Sequence, residues 1–267
     1  MNAPLPLGPG QLALAASLLL LNGVLSVWLG LRLERTLLVA ALRSTVQLTL
    51  LGYVLRWVFA VDSPWLVLAL CALMVTLAGR EAVARTSRRV RGMVWPAILA
   101  MAVAGGGTAL LASMLVIQVE PWWAPRYLVP LVGMILGNAL TGVSLGVDRA
   151  LTLVEEQQHA LEALLALGAS RLETARPVAA EALRTGMLPI LNAMSAVGLV
   201  TIPGMMTGQI LGGTEPALAA RYQLMILFLI AGAVALGTTI AVFAVLAWLI
   251  DDDPKLRPDR IMPGLRR

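Results

Sequence analysis

Residues Glu155–Pro189 read EEQQHALEALLALGASRLETARPVAAEALRTGMLP, and they form the one long polar interruption in a chain built otherwise of apolar runs. The stretch predicts a helical hairpin with a defined corner. Leu161, Leu164 and Leu165 stand three and four residues apart, so they fall on one apolar stripe of a first helix. Gly168 can take the left-handed conformation that stops a helix. Ser170, with Glu173 three residues further on, has the pattern of a capping box that starts a second one. A hairpin of this kind on the cytoplasmic side of a membrane is a docking element; its plainer reading is an ordinary loop between two membrane helices.

The rest of the chain supplies the membrane. Of its 267 residues 59% are hydrophobic and only 13% charged, far more apolar than a soluble domain. Seven segments are long enough, or nearly so, to cross a hydrocarbon core of about 30 Å: Gln11 to Leu31, Thr36 to Phe59, Pro64 to Gly79, Val94 to Ile117, Tyr127 to Val147, Leu188 to Leu211 and Leu224 to Ile250. The expected fold is therefore all-α and polytopic, with about seven transmembrane helices. The expected organisation is one membrane domain over residues 1–250, with the cytoplasmic hairpin 148–187 inserted. A tail, 251–267, carries prolines at 254, 258 and 263 and should be poorly ordered. The first segment is not read as a signal peptide, because it lacks a basic flank before it and has Arg32 and Arg35 after it.

Basic residues orient this membrane domain. Arg32, Arg35, Arg80, Arg85, Arg88, Arg89, Arg91, Arg149, Arg171, Arg176, Arg184, Lys255, Arg257, Arg260, Arg266 and Arg267 all fall in loops on one side, against Arg126 and Arg221 on the other. The positive-inside rule then places the N-terminus outside and the C-terminus in the cytoplasm. The hairpin lands inside the cell, a result that its own pattern does not presuppose. Trp122, Trp123 and Tyr127 land at the outer interface, which suits aromatic rings. The net charge of +5 is explained by this orientation rather than by nucleic acid.

Several chemistries are excluded by composition. The only lysine is Lys255, so the chain has no Walker A motif, and any ATP and Mg must be bound by a separate ATPase. Gly105-Gly106-Gly107 lies inside an apolar run with no Lys-Ser or Lys-Thr after it, and is no phosphate loop. One cysteine, Cys71, and one histidine, His159, supply neither a disulfide nor a tight transition-metal site. No set of nucleophile, base and oxyanion donors can be assembled, so an enzyme is not expected.

Within the membrane, the notable residues are those that cost most there. Arg43 lies a third of the way into the second segment with Gln47 one turn on. Since none of the seven segments contains Asp or Glu, Arg43 is expected to use carbonyls, water in a cavity or an anionic ligand. Pro203-Gly204 should break the sixth segment, and broken backbone at membrane depth is tolerated where it is buried or lines a cavity. Met205 and Met206, with Met134, Met187 and Met194, could offer thioether sulfurs there, although packing is the commoner use. Gly133, Gly137, Gly142, Gly146 and the ladder Gly204, Gly208, Gly212 predict close helix contacts, within one subunit or across a dimer seam.

Two stretches resemble known families. Glu162-Ala163, with Gly168 six residues after the Glu and Val178-Ala179-Ala180 following nine residues later, resembles the "EAA" loop of ABC transporter permeases; the departure is Glu181, where that family has Pro. The run Leu183 to Leu211, with LRTGMLP, NAMSAVGLV and PGMMTGQIL, resembles the FetB family, as do LGNALTGVSL at Leu136–Leu145 and Arg43 with Gln47. These are permease subunits of a bacterial iron-export ABC transporter, related to plant aluminium-tolerance membrane proteins. The resemblance implies an inner-membrane subunit, homodimeric and paired with a separate ATPase, in which Glu162, Ala163, Gly168, Ala169 and Ser170 couple to that ATPase. The broken backbone and the polar membrane residues suggest a translocation path through Arg43, Gln47, Asn138, Asn192, Pro203, Gly204, Met205, Met206 and Gln209. The alternative is a self-contained channel or facilitator whose hairpin is a gate.

Overall fold

The computed structural model describes residues 8–31, 33–251 and 255–263. Arg32, Arg266 and Arg267 of the basic set, and Pro254 of the tail, lie outside them. Among the described residues nine helices run α1 (Pro9–Trp28), α2 (Glu34–Val61), α3 (Pro64–Ala84), α4 (Val94–Ile117), α5 (Pro125–Glu156), α6 (Gln158–Ala166), α7 (Arg171–Ala196), α8 (Gly204–Leu211) and α9 (Pro216–Leu249). Among the described residues α1 to α5 and α9 are each long and apolar enough to cross a membrane. The sixth expected segment is not one helix. α7 begins in the polar hairpin, runs 26 residues and stops at Ala196, and α8 starts only after Pro203.

The core is the packing of α5, α7 and α9, flanked by α3 and α4. Small residues set its tightness. A Cβ added at Gly186 would sit 2.6 Å from the carbonyl oxygen of Gly142 and 2.7 Å from Thr238 Cγ2, and one at Gly146 would lie 2.5 Å from Thr238 Cγ2 and 3.3 Å from the oxygen of Ala182. The backbones of α5 and α7 therefore touch, as small residues permit in lipid. A Cβ at Gly204 or Gly208 on α8 would meet nothing within 4 Å among the described residues, so these two glycines seat no neighbouring helix there. α2 buries only Val58, and Leu42, Leu48, Leu50 and Tyr53 stand open on it. These faces suit lipid.

α4 carries two π-helical stretches, Ala102–Gly107 and Ala112–Ile117. The first is lined with small residues against α5 and α9; a Cβ at Gly105 would meet Leu136 Cδ2 at 2.2 Å.

The described part of the tail, Asp251 and 255–263, is more structured than its composition predicts. β2 (Ile261–Pro263) pairs antiparallel with β1 (Arg88–Val90), with Arg89 opposite Met262. Asp251 accepts from Arg257 Nε at 2.8 Å and Arg260 Nη1 at 3.1 Å, and Arg260 also donates to the carbonyl of Trp248. The arginine hydrogen bonds, that of Arg257 first, hold the Asp251 carboxyl below the usual aspartate range. A proline-rich segment is ordered here because the α3–α4 loop supplies the partner strand.

Candidate functional site

The hairpin forms where the sequence places it. α6 ends in a Schellman turn: Gly168 has φ +89°, its N–H donates to the carbonyl of Leu165, and that of Ala169 donates to the carbonyl of Leu164, each at 3.0 Å. Ser170 then caps α7. The Ser170 N–H donates to Glu173 Oε2 at 2.8 Å, its hydroxyl to the same oxygen at 2.7 Å, and the Glu173 N–H returns a bond to Ser170 Oγ at 3.3 Å. The Ser170 hydroxyl bond, followed by the backbone one, holds the Glu173 carboxyl below the ordinary glutamate range.

α6 is amphipathic in the sense a docking helix requires. Leu161 and Leu165 are buried, whereas Leu164 is exposed, so the stripe is narrower than the sequence spacing predicts. Glu162 and Ala163 face outward, and Leu167 at the corner is 86% exposed. Glu162 accepts from Gln158 Nε2 at 2.8 Å and lies 3.8 Å from His159 Nδ1. A cleft of about 510 Å³ separates α6 from the tail, between Glu162, Leu165 and Ala166 on one side and Lys255, Arg257 and Asp259 on the other.

The two helices that flank the hairpin are tied together beneath it. Arg149 on α5 binds Glu181 on α7 through both Nε and Nη2, and reaches Glu156 at 3.4 Å. Glu181, the departure from the EAA pattern, thus has a defined partner. The α3–α4 loop is tied to the same end of α5. Ser87 donates from its N–H and hydroxyl to Asp148 Oδ1 at 2.6 and 2.7 Å, and Arg88 binds Glu155 and, at 2.9 Å, Thr152.

Arg43 requires a correction. Its Nη2 lies 3.8 Å from Glu81 Oε2, and Glu81 also holds Arg85 at 3.4 Å. An acid is available because α3 does not stop at Gly79 but continues to Ala84. The signal was in the sequence: Glu81 and Arg85 are an i,i+4 pair that prolongs a helix, and no proline or cap intervenes.

The remaining residues expected on a path fall on two surfaces. Gly142 opposite Gly186 and Gly146 opposite Ala182 set an antiparallel register, which puts Asn138 level with Ile190 and within a turn of Asn192. Both amides are exposed on packed helices, Asn138 donating only to the carbonyl of Met134 at 2.9 Å. Gln47 is exposed on α2.

The second surface is the break. Val197 is extended, Gly198 has φ +82°, and the carbonyl of Ala196 accepts from both Val200 and Thr201 at 2.9 and 3.2 Å. Pro203 precedes α8, whose Met205 and Met206 are half-buried. Gln209 is half-buried too, and its Oε1 is enclosed with no partner among the described residues, as is that of Gln223 on α9. Leu199 and Val200, 89% and 84% exposed, leave the break uncovered.

A family model, UPF0014, described as an uncharacterised protein family, matches residues 9–249. The probable iron export permease protein FetB of Escherichia coli K12 is 31% identical over 233 residues, covering 87% of this chain and 88% of that one. ALUMINUM SENSITIVE 3 of Arabidopsis thaliana is 30% identical over 237 residues, 88% of this chain and 84% of that one. The UPF0014 membrane protein slr1647 of Synechocystis is 37% identical over 223 residues, 82% and 83% respectively. No solved structure matches the chain.

Proposed function

The chain belongs to the UPF0014 family, and from that premise we propose that it is the membrane-spanning subunit of an ABC transporter that exports iron or another metal species. A separate ATPase, binding ATP and Mg, powers it. The observation that carries this reading is the outward Glu162–Ala163 face of α6, held at a Gly168 corner between α5 and α7, two helices whose backbones touch in the core. A partner that displaces α6 moves both core helices with it. The Escherichia coli relative, a probable iron export permease, supports the substrate class.

In this reading the arginine-rich side is cytoplasmic, with the N-terminus outside, in a bacterial inner membrane. Two copies assemble about the faces the single chain leaves open: the exposed amides of Asn138 and Asn192, the gap at 197–203 and the free glycines of α8. Substrate passes between them along Asn138, Asn192, Pro203, Gly204, Met205, Met206 and Gln209. Arg43, with its Glu81 partner, and Gln47 stand at the periphery. The path supplies weak oxygen and sulfur ligands, which suit a cargo that must leave as readily as it enters.

Co-expression with a candidate P-loop ATPase subunit tests the docking. Gly168→Val introduces a β-branched residue at φ +89°, which costs upwards of about 1 kcal/mol. The variant should insert normally but lose most of the co-purifying ATPase. Wild-type recovery of the ATPase would remove the hairpin from the interface, and transport by the chain alone would make it a facilitator.

A further inference from the structure

We propose that the cleft where α3 meets α4 is a binding site for the headgroup of an anionic phospholipid. It encloses about 470 Å³ and is lined by Arg80 and Arg89, with Leu77 and Val94 at its apolar edge. Its depth matches a headgroup. From Pro64 to Arg80, α3 rises about 24 Å, near the thickness of the hydrocarbon core. Leu77, one turn deeper, is 54% exposed, and Trp95, next to Val94, is 77% exposed. An indole open at this level is typical of the membrane interface.

The charges in the cleft are available. Among the described residues Arg80 and Arg89 have no acidic partner. The one acid in the lining, Glu81, is already shared by Arg43 and Arg85. The Thr86 hydroxyl is turned away, donating to the carbonyl of Val83 at 2.8 Å. Strand alternation aims Arg89 at the cleft: Arg88 binds Glu155 and Val90 is buried, so both of its neighbours face the bundle. Two guanidinium groups over a short apolar wall match a phosphodiester with acyl chains below it. A free phosphate would use the arginines but leave the exposed Leu77 and Val94 without a role. The assignment needs only the membrane reading and is independent of the ATPase.

The test uses the detergent-purified full chain and native mass spectrometry, with dioleoyl phosphatidylglycerol, dioleoyl phosphatidylcholine or inorganic phosphate titrated at equal concentration. Wild type should retain phosphatidylglycerol in preference to phosphatidylcholine. Arg80→Gln with Arg89→Gln should weaken that retention roughly thirtyfold, each single variant less, and Arg126→Gln with Arg221→Gln on the opposite side should not change it. If the double variant does not fold, the single variants and the wild-type preference still decide. Equal retention of both lipids by wild type, an unchanged preference in the arginine variants, or full displacement by inorganic phosphate would overturn the proposal.

Discussion

Arg149 and Glu181 join α5 to α7 directly below the hairpin, Nε of the arginine donating to Oε1 of the glutamate at 3.0 Å and Nη2 reaching the same oxygen. A two-point guanidinium contact fixes orientation as well as distance. Glu181 stands where the EAA pattern that this segment resembles has proline.

That strut predicts a charge-swap result. Arg149→Glu gathers three carboxylates, its own with Glu156 and Glu181, and should uncouple ATP hydrolysis from substrate without loss of ATPase binding. Glu181→Arg should be milder, since Arg149 keeps Glu156. The double swap should recover a substantial part of substrate-stimulated turnover. Wild-type turnover in both single variants would show that the pair transmits nothing.

Glycine substitutions should divide by position. Gly186→Ala forces a Cβ against the Gly142 carbonyl and Thr238 and should destabilise the chain by roughly 1–3 kcal/mol, read as earlier thermal unfolding in detergent. Gly208→Ala, with nothing within 4 Å in the single chain, should leave the unfolding of the monomeric chain unchanged and act only on the association of two copies. Equal effects would contradict the α5–α7 contact.

The capping box predicts a pH dependence. Glu173 is held below its ordinary range by Ser170, so the stability it adds is fully present above that range and is lost as pH falls through its folded value. Hydrogen exchange at the first turn of α7 should therefore speed up on acidification. Ser170→Ala, at about 0.5–2 kcal/mol, should exchange fast already and lose the dependence. A variant with the wild-type pH profile would place the effect elsewhere.

Much of this was legible in the sequence. Gly168, Ser170 and Glu173 form a local signal, because turns and caps depend on a few adjacent residues. The break at Pro203-Gly204 was legible for the same reason, but not its start after Ala196 with the turn at Gly198. What escaped was set across the chain. The Arg43–Glu81 pair was hidden by stopping α3 at Gly79. The Arg149–Glu181 contact joins residues 32 apart, and β2 is a strand only because β1 lies beside it. Even the glycine spacings could not say which would touch: Gly142 and Gly146 do, while Gly204 and Gly208 do not.

Orientation can be read by thiol accessibility. In a Cys71→Ser background, Leu167→Cys at the exposed hairpin corner should be protected from impermeant reagents in intact cells, and Ser63→Cys, before α3, should react. The reverse pattern would place the hairpin outside and end its role in ATPase docking.

The central claim is that this chain moves metal only when a separate ATPase works on it. Proteoliposomes containing the chain and its ATPase, with a metal-sensitive dye on the far side, measure this directly. The account predicts ferrous ion flux that requires both subunits and hydrolysable ATP, and that falls to background with Gly168→Val while the membrane subunit remains inserted. Flux of the same size from the chain alone, without ATPase or nucleotide, would contradict it.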